Sequence, residues 1–290
     1  MTRDRGPAAM DTAEIELRNA GPDSQPSPVP QNFRLPVSGI EVALSVLTGH
    51  HDVLLRETAA LDIALAVRLL ARASVGQQHA PMDWLDCIVT DIDAALVELR
   101  RRALGDQVAA DLVCPAPTCG QRVSIEFSLT RFMAHHAPRP LRHPCTALAT
   151  EQGWYGWEGE SLRFRPPTAR DVLAASACPN PEREYLLRCM RPAAAPASAR
   201  RRVIHAIEAM APSLADEVQG QCTGCGAVIK AFFDARTYVL RELRGLAETV
   251  YADACLLARH CHWREADILA MPSERRLHYV DCVTLRAGRA

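Results

Sequence analysis

Two short cysteine turns constrain this chain more than any other feature of its sequence. The first reads Cys114-Pro-Ala-Pro-Thr-Cys119-Gly120, and the second reads Cys222-Thr-Gly-Cys225-Gly226. An alternating apolar stretch follows each turn. It is Val123, Ile125, Phe127 and Leu129 after the first, and Val228 or Ile229, Ala231, Phe233 and Ala235 after the second. Period-two alternation marks a strand, and both strands run on into a helical pattern. Zinc takes four soft ligands in a tetrahedron, and two turns with two thiolates apiece supply them. C-x2-C is the standard spacing. C-x4-C lies at its loose edge, with two prolines that widen the loop. Gly120 and Gly226 allow the tight backbone turn.

The two turns are far apart in sequence, further than the halves of an ordinary zinc ribbon. An internal duplication resolves the difficulty, because two related halves packed about a pseudo-two-fold axis bring equivalent knuckles face to face. The rest of the chain carries the same echo. LPVSGIEVALSVLTGHHDVLL and YGWEGESLRFRPPTARDVLA each place a Gly turn (Gly39, Gly159), a short strand, a Thr (Thr48, Thr168), an Asp (Asp52, Asp171) and a helix start in that order. Thr48 and Thr168 fit helix N-caps. Helical spacing follows in each half: Ile88, Ile92, Ala95, Leu96 and Leu99 in the first, and 182–190 and 199–210 in the second.

The expected fold class is therefore α+β. Duplicated strand–helix–knuckle halves, mostly helical with small β-hairpins, share one zinc-ribbon-like site of Cys114, Cys119, Cys222 and Cys225. That site is read as holding one structural Zn2+ per chain. The domain reading is a disordered Gly/Pro/Ser/Gln-rich arm over 1–32, a first half over 33–145 and a second half over 146–290. MRPAAAPASARRR reads as a flexible connection inside the second half. Beyond Asp234, Val239, Leu243, Leu246, Val250, Ala254, Leu257 and Cys261 define one buried helical face. A short helix, a turn at Met271-Pro272 and a last helix capped by Ser273 close the chain.

Two rival readings of the four cysteines stay open. One is a relic that no longer binds metal. The other is thiol redox chemistry, although a redox Cys-x-x-Cys sits at a helix N-terminus and these turns lead into strands. The chain has 11 cysteines in 290 residues and no apolar signal core. That combination reads as a cytoplasmic protein with reduced thiols, not a disulfide framework. The other seven, Cys87, Cys145, Cys178, Cys189, Cys255, Cys261 and Cys282, read as small core residues.

Other candidates have bland readings. Adjacent helical residues point about 100° apart, so His260-Cys261-His262 cannot converge on one ion. Asp91 and Asp93 lie in a helical run where their carboxylates diverge. His135, His136, His143 and Cys145 read as linker residues. His50-His51 reads as solvent-exposed, and Arg100-Arg101-Arg102 as a solvated helix face. The formal net charge of −1 creates no global field toward nucleic acid or an acidic membrane. LDIALAVRLLARASV, broken by Asp62, Arg68 and Arg72, is amphipathic and not a membrane span. No dinucleotide, P-loop, serine-hydrolase or HExxH motif is present.

Four segments in order carry a resemblance: LPVSGIEVALSVLTGHHD, CPAPTCGQRVSIEFS, CTGCGAVIKAFFDARTYVLREL and WREADILAMPSERRLHYVD. Together they resemble the baseplate or baseplate-hub assembly chaperone proteins of contractile tails, found in T-even-type phages and in extracellular contractile injection systems. The resemblance spans roughly 33–285. It is strongest in the second knuckle and the tail, and the first knuckle departs from it by two extra residues. It implies a non-enzymatic component that binds other baseplate or hub proteins, takes no nucleic acid, membrane or small-molecule substrate, and uses its metal architecturally. It also allows incorporation in a virion-like particle. A zinc-bearing nucleic-acid-binding regulator and a thiol oxidoreductase are the alternatives.

Overall fold

The computed structural model describes residues 31–74, 82–141 and 143–287. Of the N-terminal arm, 1–30 lie outside these residues. Its last two residues are already strand, because β1 (Gln31–Arg34) pairs with β2 (Glu41–Leu44) as an antiparallel hairpin.

After β2 come α1 (Gly49–Glu57), α2 (Ile63–Ala73), a 3-10 turn (Trp84–Asp86) and α3 (Val89–Leu104). Asp62 caps α2 by accepting from the Leu65 amide at 3.0 Å. Its Leu65, Ala66, Leu69 and Leu70 are fully buried, as its amphipathic sequence demands. α3 buries Ile92, Ala95, Leu96 and Leu99 and ends at Gly105, whose φ of 83° is open to a glycine. The hairpin β3 (Gln107–Val113) and β4 (Arg122–Ser128) follows, then α4 (Leu129–His135).

A small antiparallel sheet is built from β5 (Thr146–Ala147), β6 (Tyr155–Gly156), β7 (Arg163–Phe164) and β8 (Met190–Arg191). It covers a satellite core of Trp157, Phe164, Met190 and Val203. α5 (Ala169–Ser176) packs against α2 and the 3-10 turn, whereas α6 (Pro181–Arg188) and α7 (Ala197–Met210) pack against this satellite core. The segment read as a flexible connection is therefore ordered. Met190 and Arg191 lie in the sheet, Ala195 is buried, and Arg202 stacks on Trp157 from the first turns of α7.

The second long hairpin, β9 (Ala215–Gln221) and β10 (Val228–Asp234), leads into α8 (Ala235–Leu246), capped by Asp234. The long C-terminal periodicity is split. α8 stops at Ala247, and α9 (Val250–Cys261) restarts after Thr249. The break leaves Leu246 partly exposed while Val239, Leu243, Val250 and Leu257 stay buried. α10 (Glu265–Ala270) and α11 (Ser273–Ala287) close the chain. Ser273 is the first helical residue of α11, and its hydroxyl donates to Asp52 Oδ2 at 2.6 Å instead of capping.

The principal core draws on both parts of the sequence: Leu44, Leu55, Leu70, Trp84 and Leu96 lie in one cluster with Ala169, Phe233, Val239 and Leu243. Two short bridges cross between the parts. Thr48 pairs with Pro272, with Gly49 N donating to Met271 O and Ser273 N to Leu47 O. Thr168 pairs with Ile88, with Ala169 N donating to Cys87 O and Val89 N to Pro167 O. Each Thr starts one helix while holding the start of a helix distant in sequence. Each also takes part in a capping arrangement, through His51 in one case and Asp171 in the other.

Candidate metal centre

Both knuckles are built by the same local rule. In β3–β4 the ladder runs one rung past Val113–Arg122, with Cys114 N donating to Gln121 O at 2.8 Å. In β9–β10 it runs one rung past Gln221–Val228, with Cys222 N donating to Ala227 O at 2.9 Å. The chain then reverses through Gly120 (φ 57°) and Gly226 (φ 73°), a region a side chain enters only with strain. The two extra residues of the first knuckle are absorbed by a turn in which Cys119 N donates to Ala116 O at 3.0 Å.

The hairpins meet through their inner faces. Val123 and Ile229 are buried between them, with Leu112, Ile125 and Ala227 half-buried alongside. Ile125 lies against Gly220, where an added Cβ would sit 3.3 Å from it. At the end of this contact all four cysteine sulfurs lie within 4.8 Å of one another, close enough to hold a metal ion. Across the interface Cys114 Sγ is 3.6 Å from Cys225 Sγ, and Cys119 Sγ is 3.8 Å from Cys222 Sγ. Zinc–sulfur bonds of about 2.3 Å require tetrahedral edges of about 3.8 Å, so the donor set fits such an ion with little movement.

The surroundings suit bound thiolates. Cys222 receives the amides of Cys225 and Gly224, which bring its thiol down to about 7. The Ala116 amide pulls Cys114 the same way, but burial and the neighbouring sulfurs outweigh it and push this thiol up to about 12. The Gln121 amide likewise favours the Cys119 thiolate, and the Cys225 sulfur and burial reverse that. Adjacent sulfurs cannot all ionise without a compensating cation, and a divalent metal supplies that charge. Cys114 and Cys222 are buried, Cys119 is half-buried and Cys225 is exposed.

The remaining candidates separate. Among the described residues, no other group of three or more His, Cys, Asp or Glu side chains is arranged to hold a metal. Asp91 accepts the amides of Val37 and Ser38 at 2.8 and 3.0 Å, while Asp93 forms a two-pronged pair with Arg236 at 2.7 and 2.8 Å. Their carboxylates diverge as helix geometry requires. His136 packs on Phe132 and reaches Asp216 at 3.1 Å. α9 ends at Cys261, and His262 takes a left-handed conformation. His50 is exposed, but His51 is buried and its Nδ1 accepts from Thr48 N at 3.0 Å, contrary to the solvent-exposed reading.

Of the other cysteines, Cys87 and Cys189 are buried, Cys145, Cys178 and Cys261 are half-buried, and Cys255 and Cys282 are exposed on α9 and α11. The core reading holds for the buried pair and not for the exposed pair, and none of the seven joins a metal cluster among the described residues. Arg100 also departs from its reading. It is buried and joins Glu242 at 2.7 Å to the carbonyls of Gly105 and Gln107. No sequence motif announces this clamp, because Arg100 sits in a run whose neighbours Arg101 and Arg102 make half-buried pairs with Glu98.

No family model matches the chain, and no curated protein or solved structure matches it either. Among the described residues no helix is long and apolar enough to cross a membrane.

Proposed function

We propose that this chain is a non-enzymatic structural or assembly component of a phage-tail-like contractile injection apparatus, held in shape by a structural zinc. The observation that carries the reading is the convergence of Cys114, Cys119, Cys222 and Cys225 at the contact of two hairpins. Four protein thiolates leave a zinc ion no open position for substrate, so such a site builds and does not catalyse. Physical need supports the metal. A two-stranded hairpin is marginal alone, and the apolar filling between these two is chiefly Val123 and Ile229. Each contributes about 1.5–3 kcal/mol, whereas structural zinc in small domains contributes on the order of 10 kcal/mol.

The assembly role rests on the family resemblance of the four segments and on apolar residues left facing outward from the hairpins. Phe232 is 75% exposed, Val113 60% and Val228 52%. An exposed phenylalanine and exposed valines on a hairpin suit protein partners, here other baseplate or hub proteins. In this reading the protein works in the cytoplasm, and the crossed pairing of Thr48 with Pro272 and Thr168 with Ile88 reflects two duplicated, interleaved halves.

The test is co-expression of the tagged chain with the sheath, tube and baseplate genes of one injection cluster. A stable complex with a baseplate or hub protein is expected. Purification of the chain free of every such component overturns the assembly role and leaves the metal site standing.

A further inference from the structure

The four sulfurs are not equivalent, and the difference gives the site a second property. Cys225 is the exposed member of the cluster, whereas Cys114 is 4% and Cys222 2% exposed. Its sulfur lies 3.6 Å from that of Cys114 on the facing hairpin. Cys222, its neighbour in the same turn, is instead 3.8 Å from Cys119.

We propose that Cys225 is a peroxide-reactive site whose oxidation joins it to Cys114 as an inter-hairpin disulfide and expels the metal. The inference rests on the metal reading above. A metal-bound thiolate is deprotonated yet still nucleophilic, so the ligand that solvent reaches is the one an oxidant reaches. The Cys225 sulfur attacks a hydroperoxide oxygen. An S–O bond forms, the O–O bond breaks, and the departing oxygen takes a proton and leaves as water or alcohol. The resulting sulfenic acid is then attacked by the Cys114 sulfur: the S–S bond forms, the S–O bond breaks and hydroxide leaves to be protonated. Two thiolates lose two electrons in total, and the hydroperoxide gains them. Two of four ligands are then gone, and the remaining pair, Cys119 and Cys222, cannot hold the ion in a closed site. The new covalent link replaces the lost staple between the same hairpins, so the fold is retained while the metal leaves.

Cys255 and Cys282 are internal controls, being exposed thiols outside the cluster. Full-length protein of known zinc content is treated with a few equivalents of hydrogen peroxide. Released zinc is followed with a chromogenic chelator, and disulfides are mapped by mass spectrometry after alkylation. The expected result is loss of the bound zinc in step with a Cys114–Cys225 crosslink, unchanged in a Cys255→Ser, Cys282→Ser variant. A Cys222–Cys225 or Cys114–Cys119 crosslink, or oxidation confined to Cys255 and Cys282 with zinc retained, overturns it. If the purified chain holds no zinc, the metal reading fails by itself. The crosslink map then still tests the pairing, with the same disulfide expected and its absence contradicting it.

Discussion

Arg276 is fully buried and donates through Nη1 to Asp52 Oδ2 at 2.7 Å, joining residues 224 positions apart. Its Nε reaches Asp253 at 3.1 Å, so one guanidinium lies between two buried carboxylates. These bonds hold α11 against α1 and α9, where the Thr48–Pro272 bridge also lies. Removing Arg276 leaves two buried carboxylates with no cation between them, held only by the Ser273 and Thr249 hydroxyls. Arg276→Ala is expected to lose about 3–5 kcal/mol in urea unfolding. Asp52→Asn, which keeps the shape and part of the hydrogen bonding, should cost less. Equal and negligible losses would show that the triad does not hold the C-terminal helices.

Two glycines, Gly49 beside these contacts and Gly224 in the second knuckle, should respond differently to alanine. A Cβ on Gly49 would stand 2.7 Å from Leu269 Cα and 3.0 Å from its carbonyl, both backbone atoms that cannot step aside. Gly49→Ala is expected to cost about 1–3 kcal/mol through displacement of α10. A Cβ on Gly224 would meet only the amide end of exposed Gln121, which can swing away. Gly224→Ala should stay within about 0.5 kcal/mol of the parent in the same assay.

His51 gives the fold an acid limit. Burial lowers its pKa from the ordinary 6.5, while the nearby backbone and Asp52 only partly oppose this. The folded state thus binds its proton later than the unfolded chain does. The stabilisation is fully present above pH 6.5 and is lost as pH falls from there through the folded value, with a slope of at most about 1.4 kcal/mol per pH unit. His51→Gln keeps an acceptor for the Thr48 amide and removes the titration. Melting temperatures between pH 7 and 5 should fall less for the variant, and parallel profiles would remove His51 from the cause.

Phe232 should matter to partners and not to the fold. It lies on the outer face of β10 opposite Glu217 and is three-quarters exposed. Phe232→Ser is expected to change stability by less than about 0.5 kcal/mol yet weaken co-purification with a baseplate or hub protein. Undiminished recovery of the complex would place the contact elsewhere on the surface.

Much of this site is legible in the sequence. Cysteine spacing, the following glycines and the period-two strands located both knuckles, because turn chemistry and strand alternation are local. Helices α2 and α8 are legible from their apolar spacing, which is likewise local, whereas their caps at Asp62 and Asp234 are seen only in the structure. What escaped was non-local. Arg100 and Arg276 look like surface charge in sequence, since burial of an arginine depends on carboxylates supplied from Glu242, Asp52 and Asp253 far along the chain. The break between Leu246 and Val250 escaped because both sides keep the same apolar period across it. The differing exposure of Cys225 and Cys114 could not be read at all, because it arises from how two hairpins meet.

The first measurement is the metal content of full-length protein purified without added metal, beside Cys222→Ser. One zinc per parent chain is expected, and its loss in the variant together with a weakened cooperative melt. A parent chain without metal, melting as the variant does, would contradict the stapled architecture outright.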